Sequence, residues 1–149
     1  MNLHIPDQLI LLKLEQNDPV AWEMVYDKYA AAMYGVICNL TDNTKLVEKI
    51  FKEVFIQVKE QNMLITNATS FVSTLLHHTY QYAVAQLKKH GIDQVDRPLH
   101  QTNLIYILST RCTTLKEAAT LLNISEETAK KKLYTEFLQL RGANRVSTT

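Results

Sequence analysis

Lys130-Lys131-Lys132 is the one place in the chain where three like charges are consecutive. The residues just before it, Ser125-Glu126-Glu127-Thr128, read as a helix start in which a hydroxyl caps the first turn and two acids face the positive end of the helix dipole. Successive helical residues turn by about 100°, so the three lysines spread over most of the outer surface of that helix. Lysine attracts phosphate without reading bases. Base-edge readout draws on Arg, Asn or Gln, and only Gln139 and Arg141 near the far end are of that kind. The plain alternative for a bare lysine run is a solvated face of a packing helix. Other chemistry is harder to build. The five histidines (His4, His77, His78, His90, His100) contain no HxxxH pair with a carboxylate at ligand spacing, and adjacent His77 and His78 diverge by about 100° on a helix, so no metal site is expected. Glycine occurs only at 35, 91 and 142, which leaves no phosphate-cradling loop, and no Ser or Cys has the strand-turn-helix setting of a nucleophile. Neither a cofactor nor an enzymatic activity is expected.

The elements that position the lysines are legible upstream. Thr114-x-x-Glu117 is a capping box opening a short helix from Leu115 to Leu122, and Asn123-Ile124 make the turn before Ser125. Leu115, Ala118, Ala119 and Leu122 face Ile124, Ala129 and Leu133, the packing pattern of a helix-turn-helix in which the two alanines permit a close crossing. Gly142 is placed to end the second helix just after Arg141 in a left-handed conformation. Before this motif lies a helix through Leu104 to Leu108. Further back, periods near 3.6 mark an N-terminal helix around Leu9 to Leu14, and a helix opened by Asp18-Pro19 that runs to about Leu40 and carries Trp22, Tyr26, Tyr29 and Tyr34 as core aromatics. An amphipathic segment with Leu46, Val47, Ile50, Val54, Phe55 and Val58 follows. Next comes a helix capped by Thr69 or Ser70, in which Phe71, Val72, Leu75, Leu76 and Leu87 recur before Lys88-Lys89-His90-Gly91.

Composition narrows the class. The chain has 149 residues, 46% hydrophobic and 21% charged, with three Gly and three Pro, which is too apolar for disorder and too poor in turn formers for a strand-rich sandwich. The expectation is all-α, as two small helical domains, residues 1–90 and 99–149, joined by a linker at 91–98 where Gly, Pro and mixed charge coincide. Net charge is +1, but residues 1–85 are acidic by three charges and residues 86–149 basic by four, so attraction to a polyanion belongs to the C-terminal part. Cys38 and Cys112 form no CxxC or even framework, which fits a reducing, cytoplasmic setting. Gln61 to Leu87 lacks Asp, Glu, Lys and Arg but carries too many Gln, Asn, Ser, Thr and His for hydrocarbon, so no membrane insertion is expected.

The order of these elements, and the segments NDPVAWEMVYDKYAAAMYGV, VEKIFKEVFIQV, SFVSTLL and LKEAATLLNISEETAKKKLYTEFLQL, resemble the extracytoplasmic-function group of bacterial sigma-70 factors over about residues 8–141. The resemblance implies a sigma-70 domain-2-like bundle that holds RNA polymerase core and addresses the −10 element. It also implies a domain-4-like helix-turn-helix that docks at the −35 element. Carried over by position, Glu48, Lys49, Ile50, Lys52, Glu53 and Phe55 lie on the polymerase-binding helix, and Thr128, Lys130, Lys131 and Lys132 on the recognition helix. The partners implied are the β and β′ subunits of polymerase, promoter DNA, and an anti-sigma factor or other recruiting protein.

The departures are specific. Where the family's polymerase-facing helix usually reads Asp-Leu-Val-Gln-Glu, this chain has Lys49-Ile50-Phe51-Lys52-Glu53, and the family's Trp, Arg, Asn and Asp for −10 melting are replaced by Thr74, Tyr80, Gln81 and Ala85, leaving Lys88 and Lys89. Stacking planes and hydrogen-bond edges for single-stranded bases are offered instead by His77, Tyr80, Gln81 and Tyr82 and by the amide-rich stretch with Gln61, Asn62 and Asn67. The same tyrosines and histidines also read as half-buried helix residues. Two functions therefore stand side by side: a sigma factor directing core polymerase to promoters, and a sigma-like regulatory protein that keeps the fold to bind polymerase or another protein while promoter recognition is lost or delegated.

Overall fold

The structure, a computed structural model, describes residues 6–61, 71–92, 104–111 and 113–147, with side chains at all of these except 61 and 140–147. The described residues form seven helices and no strand: α1 (Asp7–Glu15), α2 (Val20–Cys38), α3 (Thr44–Gln61), α4 (Phe71–Lys89), α5 (Leu104–Arg111), α6 (Leu115–Leu121) and α7 (Glu126–Ser147). The fold is all-α. No helix among the described residues is long and apolar enough to cross a membrane.

Local chemistry sets the breaks. Asn17 adopts φ 55°, and the Asp18 N–H reaches back to the Lys13 carbonyl at 3.0 Å, closing α1 in the left-handed turn that Asn tolerates. Asp18 then opens α2, its Oδ1 accepting the Val20 N–H at 3.0 Å while Pro19 presets φ. That bond, and then Lys13 at 3.3 Å, hold the Asp18 carboxyl below the usual carboxylate value. Asn43 caps α3 by accepting the Leu46 N–H at 3.2 Å. Gly91, at φ 70°, ends α4 where the Lys-Lys-His-Gly run placed the end, with the Ile92 N–H bonded to the Leu87 carbonyl at 2.8 Å. The expected caps Thr69 and Ser70, and linker positions 93–98, lie outside the described residues.

One expected helix end fails. Gly142 does not end α7, which continues helically to Ser147. Gly weakens a helix interior by about 1 kcal/mol but does not terminate it, and ordinary helix formers on both sides outweigh that cost.

α2 is the central helix, packed by α1, α3, α4, α5 and α7. Its Tyr29 is 1% exposed and touches four other elements or partners at once: its hydroxyl donates to Asp7 of α1, its ring meets Phe71 of α4 at 5.5 Å and Phe137 of α7 edge-on at 5.6 Å, and Lys28 lies over its face at 5.3 Å. Burial, and then the Asp7 charge and hydrogen bond, push the Tyr29 hydroxyl pKa well up. α5 lies along α4, where the Ser73 hydroxyl donates to the Thr113 carbonyl and His77 Nδ1 bonds the Ser109 carbonyl at 2.7 Å. Helices on the two sides of residues 93–103 thus bury a shared set of apolar side chains.

Candidate functional site

The α6–turn–α7 unit has the caps and the turn that its spacing requires. Thr114 Oγ1 accepts the Glu117 N–H at 3.1 Å and the Glu117 carboxylate accepts the Thr114 N–H at 3.3 Å, a complete capping box at the start of α6. Asn123 takes φ 57° in the turn, and the Ile124 N–H bonds the Ala119 carbonyl at 3.0 Å. Ser125 Oγ accepts the Thr128 N–H at 3.1 Å and donates to Thr128 Oγ1 at 2.8 Å, so Thr128 takes part in the cap while remaining exposed. Ala118, Ala119, Ala129 and Leu133 are buried between α6 and α7, with Leu115, Leu122 and Ile124 at the margin.

The three lysines are not equivalent. All three are exposed, but among the described residues only Lys132 lies near a carboxylate, 3.6 Å from that of Glu136, one turn on. Glu136 is 5% exposed and accepts the N–H groups of Leu104 at 3.0 Å and Ile105 at 2.9 Å, capping the start of α5 from another helix. Burial raises its pKa, against the opposing pull of those two hydrogen bonds and of Lys132. Glu136 was not among the sequence candidates. Its signal was a lone acid inside the apolar stripe Ala129, Leu133, Phe137, a position that in a packed helix calls for a partner.

On α3, Glu48, Lys49 and Lys52 are exposed. Ile50 is 0% exposed and is a core residue, so its side chain shapes the helix seat and offers nothing to a partner. Glu53 is half-buried toward α4, with Oε1 shut away from solvent and without a hydrogen-bond partner among the described residues. Its neighbour Tyr82 has its pKa raised by burial first, then by the Glu53 charge and hydrogen bond. Phe55 is half-buried in an aromatic seam with Trp22 at 6.2 Å and Tyr26 at 5.7 Å. Tyr26 itself is half exposed, not core as its spacing suggested: it meets Phe51 and Phe55 of α3 at the rim of the seam, and the rest of the side chain stays in water.

No known protein family, curated protein or solved structure matches the chain. The site must be argued from geometry.

On α4, Gln81, Ala85, Lys88 and Lys89 recur at helical spacing on a single exposed face. Tyr80 is half-buried against the core, and the antiparallel register set by the Ser73–Thr113 and His77–Ser109 bonds carries position 80 opposite residues 105–106 of α5. His78 bonds Gln57 at 2.9 Å and leans on the Tyr82 ring; burial, then His77, lower its pKa. The two histidines thus serve different neighbours. Among the described residues no three His, Cys, Asp or Glu side chains group as metal ligands. Asn62, Asn67 and the side chain of Gln61 lie outside the described residues.

Proposed function

We propose that the chain is a cytoplasmic sigma-like transcription factor, with α1–α4 as the polymerase-binding and −10 unit, and α6–α7 as a helix-turn-helix that approaches duplex DNA. The observation that carries the reading is the pair of capped helices α6 and α7, closely crossed on Ala118, Ala119 and Ala129, with Lys130 and Lys131 standing free on the outer face. Lysines so placed neutralise phosphates and make affinity depend on salt more than on sequence. The exposed Glu48, Lys49 and Lys52 on α3 are the side chains of the expected polymerase helix that remain available to a partner, and Gln81, Lys88 and Lys89 the corresponding set on α4.

A second reading has its own support. α5 covers the Tyr80 side of α4, and Lys132 is engaged by Glu136, so part of the side-chain set proposed for DNA is occupied within the chain. This favours a sigma-like regulator that binds polymerase or another protein and leaves promoter recognition to a partner. Run-off transcription with purified core polymerase over a genomic fragment library separates the two, because product requires core binding and melting together. Specific transcripts support the sigma factor; co-purification with core and no transcript supports the regulator; neither result rejects both.

A further inference from the structure

The seam between α2 and α3 is an aromatic surface with an acidic border and a basic border. Trp22, Tyr26, Phe51 and Phe55 contact one another across it at centroid distances of 5.7 to 6.2 Å, yet Tyr26 remains 50% exposed and the other three are only half-buried. Aromatic rings held together and left partly in water are the type of patch that marks an interaction surface. Counting 100° per residue, Glu23 and Asp27 follow Tyr26 on the solvent side of α2, and Lys52 and Lys59 follow Phe55 on the solvent side of α3. All four are exposed, and none pairs with another described residue. Glu48 is the exception to the basic border and sits at the other end of the seam, near Tyr34, whose pKa is raised by burial, then by Cys38 and Glu48.

We propose that this seam binds a second copy of the chain. A twofold axis running along the seam lays each α2 over the partner's α3, aromatic strip on aromatic strip. The acidic border of one copy then covers the basic border of the other on both sides. The surface is its own complement, which is the requirement for an isologous dimer. The opposite alignment, with the axis across the seam, stacks acid on acid and is disfavoured. The pairing also covers Lys52, so a dimer and a polymerase-bound monomer exclude each other. That consequence rests on the proposed function, whereas the dimer itself does not.

Sedimentation velocity of the 149-residue chain, without polymerase or DNA, tests the dimer across a range of concentration. The expected result is a concentration-dependent shift to twice the monomer mass. Asp27→Lys and Lys52→Glu should each weaken it by about tenfold or more, because each reversal faces two like charges in the symmetric pair. The double variant Asp27→Lys/Lys52→Glu should restore it, since opposite charges again meet. Both positions are exposed, so circular dichroism and melting temperature should stay close to the parent in all three. A parent that is monomeric throughout, single reversals that dimerise like the parent, or a double variant that stays dissociated would each overturn the proposal. A heterologous protein captured by a monomeric parent would reassign the seam to that partner. Failure of transcription with core polymerase leaves the dimer measurement untouched.

Discussion

Glu136 is the residue on which most of the C-terminal geometry turns. It is a nearly buried carboxylate that accepts two backbone N–H groups at the start of α5 and holds Lys132. Because burial raises its folded-state pKa above the unfolded value, the folded protein binds the proton more tightly. Its contribution is therefore fully present below the unfolded pKa and is lost as pH rises through the folded one. His78 works in the other direction: its lowered pKa favours the neutral ring, so stability falls as pH drops through its folded value. Melting temperature followed from acid to neutral pH in the parent and in Glu136→Gln isolates the first effect. The difference between the two should grow in the variant's favour as pH rises. Gln also frees Lys132, so duplex affinity of the variant should rise at low salt; an unchanged affinity would leave Lys132 without a share in binding. At Tyr29, removal of the hydroxyl in Tyr29→Phe should cost about 1.5 to 3 kcal/mol in a denaturant titration, the ordinary net worth of a hydrogen bond to a charged group, with the ring contacts kept.

At the scale of elements, α7 carries the DNA prediction. Each neutralised phosphate contributes about 0.9 to the slope of log affinity against log salt, so Lys130→Ala/Lys131→Ala should reduce that slope by about 2 units for any duplex sequence. Alanine is a strong helix former, so helicity should persist. Adding Lys132→Ala should change the slope by less than either of the others, because its ammonium is already engaged. Equal losses at all three positions, or none, would contradict this. The capping box at α6 gives a stability test: Thr114→Ala should cost about 1 kcal/mol by loosening the first turn of the helix against which α7 packs.

On the whole molecule, Phe137 joins α7 to Tyr29 at the centre of the bundle while Glu136 ties the same turn to α5. A cavity at Phe137 should therefore be felt on both sides of residues 93–103. Phe137→Ala is expected to cost about 3 to 5 kcal/mol, the range for deleting a buried aromatic ring. Amide exchange should quicken in α2 and α4 as well as in α5 and α7. Acceleration confined to residues after 103 would show that the two parts open independently, as a linker between separable domains requires.

Helix positions were legible in the sequence because they depend on neighbours in the chain. Asp18-Pro19, Thr114-x-x-Glu117, Asn123 and Ser125 each satisfy orphan backbone groups within a few residues, so type and spacing sufficed. Gly142 misled because a local stop signal competes with helix propensity on both sides, and here propensity prevails. Among site residues, the exposure of Lys130 and Lys131 followed from the apolar register of α7 and the burial of Ile50 from the apolar stripe of α3, whereas Glu53 was assigned by position on α3 without knowledge of which flank α4 would cover. Glu136 was invisible as a cap, since its partners lie 32 and 31 residues away. The sequence by itself determined where α2, α6 and α7 begin and which stripe of each is apolar, because those follow from hydrogen bonds and periodicity within one turn or two. Only the tertiary structure decided which lysine is held, which carboxylate is buried and which aromatic edge stays in water, because each depends on a neighbour that chain order does not name.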